Sequence, residues 1–219
     1  MRFRTLTTVL HWLAAAVILR VLVSILANYP DYFPPNFDSQ FLQGRESTFR
    51  GAYRVAFYIH IFSGPLVLFN GLILLNERVR RRHHLWHRWL GRFQVAVLLL
   101  FMFPSSAVMS LHAFGGWPAG LSFLLLSIAT AACAILGIVS ARRRRFDRHR
   151  CWMLRCYILM CSAVALRLIS GTLGLIGVPG PEYAYVAAAW SSWLLPLAGF
   201  EILEQRAVRR KSGLAAAGR

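Results

Sequence analysis

The sequence predicts an all-α integral membrane protein, a six-helix bundle with both termini in the cytoplasm. Three observations predict it. The chain of 219 residues is 57% hydrophobic and 15% charged, with mean hydropathy +0.51, whereas soluble domains run to about a quarter charged. Between its charged blocks lie apolar runs of roughly twenty residues, the length that crosses a hydrocarbon core as a helix. The blocks at alternate connections are basic, which is the topology signal of a chain that crosses repeatedly.

Leu6 to Ala27 is the first span. Its apolar run exceeds a signal-peptide core and no small-residue cleavage site follows, so it reads as a retained helix. It carries His11 and Arg20. Asn28 to Arg50 is broken by prolines, Asn and Asp and holds Asp31, Asp38 and Glu46; it reads as a long outer loop. The remaining spans are expected over 51–76, 87–112, 119–141, 151–176 and 183–203, with Pro104 kinking the third. Residues 204–219 read as a basic, mobile tail. One transmembrane domain then covers 1–219, with no separate soluble domain and no internal repeat.

The formal charge of +17, from 25 Lys and Arg, would suit nucleic acid, but its placement does not. Arg78 to Arg82, Arg142 to Arg150 and Arg206 to Lys211 sit at helix ends, where they fix topology and meet anionic lipid at the cytoplasmic face. This distribution excludes nucleic acid as a partner and points to an integral membrane protein with anionic lipid at its cytoplasmic face. Cys133, Cys151, Cys156 and Cys161 form no CxxC pair and avoid the outer loops, so they read as packing residues and not as a disulfide framework. No nucleophile elbow, phosphate loop, HExxH motif or paired carboxylates appear, and no catalytic residue is assigned.

Ionisable groups inside spans are costly and mark candidate sites. At 1.5 Å rise per residue, His60 and Arg167 lie roughly 14 Å, and Arg20 roughly 10 Å, below the outer ends of their helices. A layer of two cations and an imidazole suits a small anion or a lipid headgroup. At the inner face lie His11, His83, His84, His87, His149 and Glu201. His83 and His87 are four apart and share a helix face, a spacing for a metal, but the turn around them is crowded with fixed positive charge. His87 and His149 each open a span. His11 can face His87 across the bundle, and two neutral imidazoles on opposing helices are the usual cage for b-type haem.

Several motifs together resemble a known family. They are Tyr58, His60, Ile61 and Gly64 (YIHIFSG), then His87, Arg88, Gly91 and Arg92 (HRWLGR), then His149, Trp152, Met153 and Arg155 (HRCWMLR), then Leu166 and Arg167, and last Tyr185, Ala189, Trp190 and Trp193. In this order they resemble bacterial membrane proteins catalogued as domain of unknown function 2306, over about Tyr53 to Pro196. That resemblance implies a polytopic helical membrane protein and no particular reaction. A weaker likeness is to the transmembrane cytochromes b-561, through His60-Ile61-Phe62 and His87-Arg88-Trp89-Leu90-Gly91. It implies that the two histidines belong to different haems. The chain departs from that pattern: Met160 to Ile176 holds no histidine to pair with His60, which leaves one inner haem on His87 and His11.

The expectation is therefore a membrane redox protein that carries b-type haem and exchanges electrons with a quinone or another small acceptor. Its cofactor-binding candidates are His11, His87, His60 and His149. The alternative is a non-redox protein that binds or moves a small anion or lipid at Arg167, Arg20 and His60. A third reading, a metal-dependent hydrolase, rests on His83 with His87 and His149, the last two being the metal-ligand candidates.

Overall fold

The computed structural model describes residues 2–39, 41–177 and 180–217, with the side chains of 2–11, 181, 208 and 210–217 outside that description. Every regular element among the described residues is helical. Six stretches are long and apolar enough to cross a membrane: Trp12–Asp31, Gly51–Leu75, His84–Ser110, Gly116–Arg142, Phe146–Ile176 and Glu182–Ala207. They match the six expected spans. The chain forms two compact units, Met1–Ala131 and Ala132–Arg219.

In the first unit, α1 (Arg2–Ala27) leads into a 3₁₀ turn at Tyr29–Asp31, and α2 (Gly51–Leu75) follows the long loop. That loop lacks regular structure, as its Pro, Asn and Asp content predicts, but it has a core of its own. Tyr32, Leu42 and Phe49 are buried with Tyr53 and Phe57 of α2, and Tyr29, Phe37 and Tyr58 pack around them. The rings meet edge-on in most pairs, such as Tyr32 with Phe57 and Phe49 with Phe57, both at 5.2 Å, the favoured geometry for aromatic quadrupoles. Arg45 pins this cap. Its guanidinium donates to Tyr53 Oη and to the His112 carbonyl, both at 2.9 Å, and lies 5.1 Å above the Phe41 ring.

The first basic turn contains a short helix, α3 (Glu77–Arg82). Asn76 caps it by accepting the Arg78 N–H at 2.9 Å. The third span follows as α4 (His84–Val97), a π-helical turn over Leu98–Met102, and α5 (Phe103–Ser110). The break falls where Pro104 predicts one, but its form is a widened turn. Proline has no N–H to return to the preceding turn, and the Phe103 N–H donates to Leu98, five residues back.

This span packs antiparallel to α2. Going back along α2 from Asn70 to Gly64 to His60, the neighbours go forward from Gln94 to Met102 to Ser106. The centre of the seam is a buried amide pair. Asn70 Nδ2 donates to Gln94 Oε1 at 2.8 Å and to the Leu90 carbonyl at 3.1 Å, and Gln94 Nε2 donates to the Val67 carbonyl at 2.8 Å. After α5 a turn through Gly115 and Gly116, both at positive φ, starts α6 (Gly116–Arg142). Here Gly120 lies against the end of α5, and a Cβ on it would press into the Ser110 carbonyl oxygen.

The second unit holds the end of α6, then α7 (Phe146–Met160), α8 (Ser162–Ile176) and α9 (Pro181–Ala217). The fifth span is two helices in line, joined by one turn at Cys161, and not the single helix expected. It ends at Gly177, whose φ of +69° gives the left-handed helix stop that glycine adopts without strain. α9 packs on α7 and α8, and its buried Ala188, Ala189 and Ser192 are the small side chains that allow close approach in a membrane. The stretch expected as a mobile tail continues α9 as helix to Ala217. Its Ala, Leu, Glu, Gln and Arg content favours helix, and the basic character predicted only that it leaves the hydrocarbon.

Two predictions test this packing. Gly120→Ala should lower unfolding stability in detergent by about 1–3 kcal/mol, the usual cost of overpacking. Gly64→Ala, whose new methyl meets only Met102 at an ordinary 3.8 Å, should be tolerated, and equal losses in both would refute the close approach at Gly120. Asn70→Leu and Gln94→Leu should each cost about 1–2 kcal/mol, since each strands a buried amide. The double variant should lose less than the sum, and a double-mutant cycle reads that coupling directly.

Candidate functional site

His60 sits on the α2 face that packs against the third span. Its Nδ1 lies 3.1 Å from Ser106 Oγ, and its side chain is half-buried. Ser106 is placed there by the break in the third span, since it follows Pro104 by two residues in the first turn of α5, just beyond the π-helical turn. That turn also supplies Met102, whose sulfur is 3.6 Å from Ser63 Oγ and 3.9 Å from where a Gly64 Cβ would be. An imidazole, two hydroxyls and a thioether thus line one stretch of an otherwise apolar seam. The aromatic cap is tied to the same part of α2: Tyr29 Oη donates to the Ile61 carbonyl, and Tyr58 Oη donates to the Tyr32 carbonyl at 2.9 Å. A π turn beside an intramembrane titratable group is a recurrent mark of function.

The other sequence candidates are placed differently. Arg20 is exposed on α1 in the first unit. Arg167 is exposed on α8 in the second, where its guanidinium donates to the carbonyl of Ala163 in its own helix at 2.9 Å. His87 is half-buried on α4, on the stripe that continues through Gly91 to buried Gln94 and Leu98. His149 is half-buried on α7, with Nδ1 2.9 Å from the Gly137 carbonyl. Gly137 allows this approach, because its missing side chain leaves room for Met153, whose sulfur a Cβ would meet at 2.6 Å. His11 lies in α1, but its side chain falls outside the described residues. Among the described residues no group of three or more His, Cys, Asp and Glu is placed to hold a metal ion.

The donor chemistry at His149 nevertheless fits a haem ligand. A ring nitrogen held by a backbone carbonyl fixes the tautomer and directs Nε2 outward, the usual support of a ligating histidine. His60 has comparable support from the Ser106 hydroxyl.

Several functional side chains escaped the sequence reading. Ser63, Met102 and Ser106 are ordinary span residues until the register of α2 against the third span is known. Arg155 and Glu201, read separately, form a forked pair, with Nε–Oε1 at 2.5 Å and Nη2–Oε2 at 2.9 Å. Trp152 and Phe200 flank the guanidinium at 4.7 and 5.6 Å, and an open cleft of about 270 Å³ is lined by this pair with Glu204, Gln205 and Arg209. With its fork filled by the chain's own carboxylate, Arg155 ties α7 to α9 and is not an anion receptor.

A family model described as predicted membrane protein (DUF2306) matches residues 57–203. The match takes in His60, Ser106, His87, His149, Arg155, Arg167 and Glu201, and leaves out His11 and Arg20. No curated protein and no solved structure matches the chain, so the likeness to cytochrome b-561 gains no support there. Because the family match covers more than half of the 219 residues, the chain belongs to this family of predicted membrane proteins, domain of unknown function 2306.

Proposed function

We propose that the protein is a membrane redox protein that receives a quinone, or a similar small neutral acceptor from the bilayer, at His60. The observation that carries this reading is the His60–Ser106 contact at 3.1 Å, inside two apolar spans and beside a π turn. A quinone carbonyl oxygen accepts a hydrogen bond from an imidazole N–H or a serine hydroxyl. On reduction that oxygen takes up a proton, and His60 is the titratable group beside it. The half-buried position suits a ligand that arrives through lipid. The neutral lining of Ser63, Met102 and Ser106 favours a neutral acceptor over an anion. An anion would call on Arg20 and Arg167, which the fold leaves exposed, the latter bonded to its own helix.

A b-type haem supplies one-electron transfer when bound. His87 in the first unit and His149 in the second are each a described residue that would ligate such a group, as separate candidates. His149 is held through Nδ1 by the Gly137 carbonyl, which would leave Nε2 as the ligating atom. His11 stays the proposed partner of His87.

A short-chain benzoquinone titrated into the detergent-purified protein should quench tryptophan fluorescence saturably. His60→Ala should weaken that binding about tenfold, which is about 1.4 kcal/mol, and Ser106→Ala should weaken it a few-fold. Unsaturable quenching, or equal affinity in a folded His60→Ala variant, would count against the site. Separately, protein expressed with added haem should show a Soret band that sharpens with dithionite and weakens in His149→Ala or His87→Ala. A featureless spectrum from folded protein would remove haem from the reading and leave the quinone site standing by itself.

A further inference from the structure

The first basic turn is more ordered than a topology signal requires. Glu77 accepts from Arg80 at 3.0 Å and from Arg81 at 2.9 and 3.1 Å. Its hydrogen bond and charge contact with Arg81, with Arg80 adding to them, hold its carboxyl below the usual carboxylate range. Arg78 and Arg82, one helical turn apart, stay outside that pairing. Together with Glu77 and Arg81 they line an open cleft of about 490 Å³. Three guanidiniums against one carboxylate leave the cleft strongly positive, and Asn76 fixes the start of the helix that carries them.

The helix that follows the cleft in the chain carries an apolar strip. Trp86, Trp89 and Phe93, at steps of three and four residues, share one face of α4. Their exposures are 66%, 67% and 46%. Arg92 lies over the Trp89 ring at 5.5 Å, so its charge stays at this end of the helix. The strip lies at the start of the apolar span His84–Ser110. A cationic cleft followed at once in the chain by exposed indole and phenyl rings on a spanning helix matches a ligand with an anionic head and a hydrocarbon body.

We propose that Arg78 and Arg82, beside the Glu77–Arg81 pair, hold the phosphate of an anionic phospholipid, whose acyl chain lies along Trp86, Trp89 and Phe93. The site is independent of His60 and of the redox reading. Its occupant is a bilayer lipid and not a free phosphate, because only a lipid uses the apolar strip as well as the cleft. Basic side chains next to a span attract anionic headgroups individually; here the fork of Glu77 and the cap of Asn76 order them around one point.

The experiment uses the full chain in detergent, with phosphatidylglycerol or phosphatidylcholine added, and reads retained lipid by native mass spectrometry and Tm by intrinsic fluorescence. Phosphatidylglycerol should be retained and raise Tm, with phosphatidylcholine far weaker. Arg78→Gln/Arg82→Gln should bind phosphatidylglycerol about tenfold or more weakly, in line with the attraction per basic residue near a membrane, while its lipid-free Tm stays at the wild-type value. Arg142→Gln/Arg143→Gln, which removes the same charge from the other basic turn, should keep wild-type retention. Equal losses in the two double variants would overturn the site in favour of diffuse attraction. Equal retention of the two lipids, or the same Tm rise from millimolar inorganic phosphate alone, would also overturn it.

Discussion

A polar group inside hydrocarbon has no water to bond, so it must be satisfied by the chain itself. Most of the fold follows from how this is met. Hydroxyls within spans turn back on their own helices: Ser127 on Phe123, Thr130 on Leu126, Ser140 on Leu136, Thr172 on Leu168 and Ser191 on Ala187. These bonds are local and leave each helix self-contained. Amides reach too far for that. Asn70 and Gln94 satisfy each other across the seam and use the spare carbonyls of Leu90 and Val67, so the same constraint that hides a hydroxyl in one helix locks two helices into one register.

Once Asn70 faces Gln94, the rest of that seam is fixed. Gly64 comes opposite Met102, and His60 comes opposite Ser106. The missing N–H of Pro104 and the widened turn before it shift the phase of the third span, which brings Ser105 and Ser106 round. Ser105 closes on the Met102 carbonyl at 3.0 Å, and Ser106 is left to the imidazole. The N-terminal part of α2 is held in turn by the aromatic cap, through Tyr29 on the Ile61 carbonyl and Arg45 on Tyr53. In the second unit the forked Arg155–Glu201 pair serves the same end, matching two opposite charges near the end of a span.

Hydropathy is a local property, so all six spans, the long loop and the basic turns were legible in the sequence. The break at Pro104 was legible as well, but not its π form, which depends on how the freed carbonyls are satisfied. His60 stood out because a lone ionisable group in an apolar run is rare. Ser106 could not, because most span hydroxyls bond to their own backbone and carry no signal of an exception. The aromatic cap was missed for a different reason: Pro, Asn and Asp announce irregular backbone, and that says nothing of Tyr32, Leu42 and Phe49 closing a core between them. Arg155 and Glu201 were each visible, yet a pair 46 residues apart needs the pairing of α7 with α9 to be known first. Arg167 stood out by its depth and by its place in the Leu166–Arg167 motif, but neither could tell that its guanidinium donates to its own helix, as a long side chain at that depth can.

This last point bears on what the seam can bind. A cation that serves a buried anion must leave its own helix unsatisfied or find the ligand first. Arg167 is already bonded to Ala163 and exposed, and Arg155 is already filled by Glu201. These two charges are therefore spent within the chain, and the side chains described around His60, Ser63, Met102 and Ser106, are neutral donors and acceptors. Such a lining discriminates by hydrogen-bond geometry, which favours a flat carbonyl compound over an anion whose desolvation nothing there would offset. The unpaired cations lie instead at the basic end, on Arg78 and Arg82, where headgroup water lowers the cost of holding a charge. The two proposed sites thus differ by depth, with neutral hydrogen bonding inside the hydrocarbon and charge at its edge.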